Sequence, residues 1–194
     1  MNTTEKAPKI RSFIALELSD EARDEFSRII GVLKEANADV KWLKPENIHL
    51  TLKFLGYVPE ERIAGIAERL KKIASGAAPF EIVLGGIGVF PAWDYVKVLW
   101  VGAAEGADKA KDLAAQVEEA MAEEGFEKEA RSFSPHFTLG RVRKAKNKDE
   151  LKRLADSIKV EPASSHISRI VLFKSVLSPK GAEYTPLATA NLAG

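Results

Sequence analysis

Two short strings carry residue types that move protons: His49-Leu50-Thr51-Leu52 and His136-Phe137-Thr138-Leu139. They use two of the chain's three histidines and stand 87 positions apart, close to half of the 194 residues. In a strand, residues two apart share a face. His49 and Thr51 then point one way, backed by Leu50 and Leu52. His136 and Thr138 repeat the arrangement over Phe137 and Leu139. Each polar pair rides on a stiff, apolar-backed support, which suits a site. Histidine changes charge near neutral pH. Two of them on opposite sides of a substrate divide an in-line displacement. One takes a proton from the attacking water and the other gives a proton to the leaving oxygen. Threonine hydroxyls donate hydrogen bonds to phosphoryl oxygens. One copy alone reads as the wet face of a half-exposed strand; the second copy weighs against that account.

Other chemistries lack their residues. The chain has no cysteine, which excludes disulfides, thiolate metal sites and a Cys nucleophile. Two histidines without an evident carboxylate or third histidine make an incomplete ligand set. There is no Gly-x-Ser-x-Gly elbow and no phosphate-loop motif. Gly85-Gly86-Ile87-Gly88 lacks dinucleotide spacing and predicts a bulged strand. No metal and no cofactor are expected. With 29 Lys+Arg against 28 Asp+Glu, the charge is balanced, which argues against tight non-specific binding to long nucleic acid. A local phosphate site remains open. The apolar runs Phe13–Leu16 and Ile170–Phe173 are too short to span a bilayer, and Met1–Ile10 lacks the apolar core of a signal peptide. The expectation is a cytoplasmic monomer with no membrane partner.

The elements that must position these residues follow from periodicity. Residues 1–10 read as a flexible arm and 11–194 as one domain. Strands are expected over Arg11–Leu18, Val40–Leu43, Ile48–Leu55, Phe80–Phe90, Val96–Val101, Phe137–Val142, Ile167–Leu177 and Tyr184–Ala190. A helix follows Ser19, a predicted N-cap, with Ala22, Phe26, Ile29, Ile30 and Leu33 inward. Others open at Pro59 and cover Ala107–Glu124 and Lys148–Ile158; Ser178-Pro179-Lys180-Gly181 reads as a turn. Interleaved helices with hairpin-like neighbouring strands favour α+β over a doubly wound parallel sheet.

Both motifs, with their surroundings, resemble the two-histidine (2H) phosphoesterases, in particular the RNA 2′,3′-cyclic phosphodiesterases, also called 2′-5′ RNA ligases. Arg11-Ser12-Phe13-Ile14-Ala15 is similar to that family's first strand, and the run Lys41–Gly56 to its first motif. Ser134-Pro135-His136-Phe137-Thr138-Leu139-Gly140-Arg141 resembles its second. The resemblance covers residues 11–190. It implies a bilobal α+β fold: two pseudo-symmetric lobes of antiparallel sheet with outer helices, around a central cleft, each lobe giving one His-x-Thr. It implies opening of a 2′,3′-cyclic phosphate at an RNA 3′ end to a 2′-phosphate, with tRNA fragments among the candidate substrates. It also implies a reverse 2′-5′ joining. By resemblance His49 protonates the departing 3′ oxygen, His136 activates water, and Thr51 and Thr138 hold the phosphoryl oxygens. The residues alone do not assign acid and base.

Arg141 stands where the family places a phosphate- or base-contacting arginine. Its odd number puts it on the apolar face unless Gly140 hosts a bulge. Phe13 is read either as a base-stacking ring or as a core aromatic. Lys53 edges the cleft or is an exposed strand lysine, Tyr184 is a further candidate for the cleft wall, and His166 reads as an ordinary surface histidine. Two other functions stay open: a 2H phosphoesterase for another small cyclic or 2′-5′-linked nucleotide, and a non-catalytic module that holds RNA ends.

Overall fold

The structure, a computed structural model, describes residues 8–144, 146–179 and 181–194. Its strands are β1 (Lys9–Leu16), β2 (Asp39–Trp42), β3 (Leu50–Pro59), β4 (Phe80–Phe90), β5 (Val98–Glu105), β6 (His136–Lys144), β7 (Ser164–Ile167), β8 (Arg169–Ser178) and β9 (Gly181–Asn191). The helices are α1 (Asp20–Lys34), α2 (Ile63–Ser75), α3 (Ala107–Glu123) and α4 (Lys148–Ser157). Residues 1–7 of the expected arm lie outside the described residues, as does Lys180 of the expected turn. Lys9 and Ile10 belong to β1.

Two antiparallel sheets result, one in the order β3-β1-β8-β9 and one in the order β2-β6-β5-β4-β7. The sequence halves do not map simply onto them. The first half sends β1 and β3 to the first sheet and β2 to the edge of the second. The chain then adds β4 to β7 to the second sheet and returns to the first with β8 and β9. The expected strand Ile167–Leu177 is β8 over nearly its whole length; only Ile167 falls before the break at Ser168, where it ends β7, a short strand of the other sheet. β7 pairs with β4, and β8 pairs with β1.

The helix after Ser19 forms for the anticipated reasons. The Ser19 hydroxyl accepts from the Ala22 N–H at 3.2 Å, and Asp20 and Glu21 occupy the positive end of the helix. Its apolar stripe packs Phe26 on Phe137, the residue behind the second histidine, with ring centroids 5.7 Å apart. α2 covers β8 and β9, and α3 touches both β3 and β5. One continuous core joins both sheets.

Strand β1 shows how the pleat sorts side chains. Ile14 and Leu16 enter the main core, whereas Phe13 and Ala15 join Val171, Phe173 and Tyr184 in a smaller cluster on the other face. The bulge expected at the glycine run is present: the β4–β5 register slips between Leu84 and Ile87. At Gly85, a Cβ would come within 2.9 Å of the Ala104 nitrogen.

Candidate active site

His49 sits one residue before β3, held by the tight turn Pro45–Asn47. That turn is fastened to β9 by the Asn47 amide, which donates to the Ala182 carbonyl at 2.8 Å. His136 is the first residue of β6. Each imidazole is fixed in the same way. His49 Nδ1 lies 2.8 Å from the Asn47 carbonyl and His136 Nδ1 lies 2.7 Å from the Ser134 carbonyl. A carbonyl only accepts, so Nδ1 carries the hydrogen in both rings and Nε2 is the nitrogen left for chemistry.

Aromatic rings complete both settings. Phe13 stacks on His49 at 4.7 Å between centroids, and Tyr184 meets it edge-on at 5.2 Å. Phe90 meets His136 edge-on at 5.0 Å, with Trp100 behind at 6.4 Å. Burial accordingly disfavours the charged form of both rings. It pushes His49 down to about 4, against the support of the Asn47 carbonyl. His136 is lowered as well, by burial first and then by the Arg141 guanidinium, against the support of the Ser134 carbonyl.

Both histidines and both threonines line one cleft of about 1600 Å³ between the sheets. Thr51 and Thr138 are half-buried there, opposite Ala15 and Trp100 in register. Arg141 joins them. β6 carries an extra residue between Thr138 and Gly140, since Trp100 pairs with Thr138 but Leu99 pairs with Gly140. The slip reverses parity and turns Arg141 to the cleft side. Gly140 is the residue this needs: a Cβ would meet Val40 at 2.7 Å and Trp42 at 2.9 Å.

Three other candidates take different places. Phe13 offers no free face to a base. It is 2% exposed, with His49 on one side and Phe173 stacked at 5.2 Å. It is a platform beneath the histidine. Lys53 is neither an exposed lysine nor a free cleft cation. Its ammonium is buried, 2.7 Å from the Glu118 carboxylate, and donates to the Glu127 carbonyl at 2.9 Å. Glu118 also accepts from the Glu129 N–H at 2.7 Å, so the pair pins the loop that leads to His136. His166 lies away from the cleft, 2.7 Å from Glu81.

Strand spacing did not single out Arg11, Lys41, Lys97, Phe90 or Tyr95, which also line the cleft. Among the described residues no group of three or more His, Asp or Glu side chains could hold a metal ion. No described helix is long and apolar enough to cross a membrane.

The paired histidine segments, facing one cleft between two antiparallel sheets, define a two-lobed protein with one His-x-Thr on each wall of the cleft. The model of the LigT-like phosphoesterase family matches the chain twice, over residues 16–100 and 101–184, and the chain belongs to that family. A Methanothermobacter thermautotrophicus protein named RNA 2′,3′-cyclic phosphodiesterase is 38% identical over 95% of this chain and 100% of its own length. One of the same name from Archaeoglobus fulgidus is 35% identical over 92% of this chain and 98% of its own. The crystal structure of TT0787 of Thermus thermophilus superposes with a TM-score of 0.78 at 27% identity, covering 95% of this chain and 99% of that one. E. coli LigT in its apo form has the same fold, with a TM-score of 0.76 at 23% identity, over 97% of this chain and 100% of that one.

Proposed function

We propose that this chain hydrolyses the 2′,3′-cyclic phosphate at an RNA 3′ end to a 2′-phosphate, acting as a cytoplasmic monomer. The observation that carries the reading is the pair of His-x-Thr strands on one cleft, each imidazole tied through Nδ1 to a backbone carbonyl. Relatives named RNA 2′,3′-cyclic phosphodiesterase, matched over nearly the full length of both chains, support it.

In the reaction, His136 Nε2 takes a proton from water as the water oxygen bonds to phosphorus. The bond from phosphorus to the 3′ oxygen breaks, and His49 Nε2–H gives that oxygen its proton. The product carries a 2′-phosphomonoester and a free 3′-hydroxyl. Thr51 and Thr138 donate to the non-bridging oxygens, where negative charge accumulates. Arg141 adds a fixed positive charge on the His136 side, which favours a neutral, base-competent ring there. In the open cleft both imidazoles are driven towards neutrality by burial; a bound diester anion favours a proton on the ring nearest it, and this assignment puts that proton on His49. The same steps, with a 5′-hydroxyl in place of water as the nucleophile, join ends through a 2′-5′ linkage without nucleotide energy.

The test is product analysis on a short RNA ending in a 2′,3′-cyclic phosphate, with EDTA present. The expected product is the 2′-phosphate alone. A 3′-phosphate product, or strict dependence on an added divalent ion, overturns the reading.

A further inference from the structure

We infer that Lys41, opposite Arg141 on β2, completes a second anion site that holds the phosphodiester one nucleotide before the reacting end, so that the preferred substrate is an RNA chain rather than a free cyclic mononucleotide. This rests on the phosphodiesterase reading above. Lys41 and Arg141 are direct cross-strand partners. Partners in an antiparallel pair share a face, with Cβ atoms about 4.5–5.5 Å apart, and like charges there destabilise the sheet. Both side chains are exposed and both line the cleft. Among the described residues neither has a carboxylate partner, although 14 ion pairs occur elsewhere. A repulsive pair left without a counter-charge in a cleft wall is complementary to an external anion.

The reacting phosphate does not need this lysine. It carries one negative charge and already has two threonines, two imidazoles and Arg141. A second phosphate, with Arg141 between the two, accounts for the surplus. Space agrees: the cleft of about 1600 Å³ exceeds the roughly 300–1,000 Å³ usual for a small-molecule site. A platform for the preceding base stands alongside. Tyr95 is 66% exposed, with the Lys97 ammonium 4.2 Å over its ring. The Lys97 carbonyl accepts from the Val142 N–H at 2.9 Å, which fastens this platform next to Arg141. An exposed aromatic ring beside cations is the usual means of holding single-stranded nucleic acid.

The experiment compares three substrates in wild type and Lys41→Met: a 2′,3′-cyclic mononucleotide, a dinucleotide with the same cyclic end, and that dinucleotide with a neutral methylphosphonate linkage. Wild type should lose about tenfold in kcat/KM when the linkage is made neutral, the scale of one charge-assisted hydrogen bond. Lys41→Met should lose a similar factor on the natural dinucleotide and show no further loss with the methylphosphonate. Its thermal midpoint should hold or rise, because a repulsive pair is removed. An equal loss on the mononucleotide and the dinucleotide, or full sensitivity of the methylphosphonate to Lys41→Met, overturns the second site. Absence of wild-type turnover on all three substrates would overturn the phosphodiesterase reading itself.

Discussion

Each histidine is a half-buried imidazole with one nitrogen already committed. His49→Ala and His136→Ala should each lower turnover by about 10²–10⁴, the usual contribution of a positioned acid or base. The double variant should lose less than the product of the two, because paired groups act as a unit. Steady-state rates on the short RNA check both points, and near wild-type activity in either single variant contradicts them. The pH profile follows from burial. The active form has one imidazole protonated and one neutral, so kcat/KM is bell-shaped, with limbs that belong to the pair. Both rings are lowered in the free protein, His49 to about 4. The kcat/KM maximum should therefore lie below pH 6.5, and the kcat maximum should lie higher, since the bound anion restores the proton. A kcat/KM maximum above pH 7 contradicts the buried setting. Stability carries the same sign. An unfolded His titrates near 6.5, above the folded value of His49. As pH falls from about 6.5 to 4 the unfolded chain binds the extra proton and stability is lost. Melting temperatures at pH 7 and pH 4.5 should show a smaller acid loss in His49→Gln than in wild type.

At the level of strands, alternation made much of the site legible. A two-residue period placed His49 with Thr51 and His136 with Thr138, each over an apolar back. What local pattern does not encode is which residue a neighbouring strand leaves unpaired. Arg141 reaches the cleft only because β6 carries an extra residue against β5, and Lys53 turns to Glu118 on a helix some 65 positions away. No turn residue marks Ser168, so the change of sheet between β7 and β8 is not visible in the local pattern. Gly140 and Lys53 give the tests at this scale. Gly140→Ala should cost about 1–3 kcal/mol, since the Val40 methyl and the Trp42 ring on β2 must shift. It should also weaken substrate binding by moving Arg141, as KM reports. Arg141→Ala should raise KM without moving the pH limbs by more than a small electrostatic shift, and Arg141→Lys should recover part of the loss. Lys146→Ala, further along the same basic run, should leave KM unchanged. Lys53→Met leaves the Glu118 carboxylate without its ammonium partner. Glu118 keeps some solvent, so about 2–3 kcal/mol of destabilisation is expected rather than the upper range for buried pairs.

In the whole molecule the two lobes are interlocked. The sheet that carries His49 needs β8 and β9 from the far end of the chain, and the last residues close on α2: Ala193 N–H donates to the Ala74 carbonyl and Gly194 N–H to the Ala77 carbonyl. With one core shared by both sheets, calorimetry should show a single cooperative unfolding transition. Two resolved transitions contradict the shared core. The same interlocking gives the cleft two rigid walls, so that His49 and His136 are held by separate sheets and face one cleft. Division of labour between those walls is tested most directly by replacing the leaving 3′ oxygen of the cyclic substrate with sulfur. A thiolate leaves far more readily than an alkoxide and needs no proton. Turnover of this substrate should be largely restored in His49→Ala and should stay depressed in His136→Ala. Equal depression in both variants, or rescue of His136→Ala instead, would contradict the account.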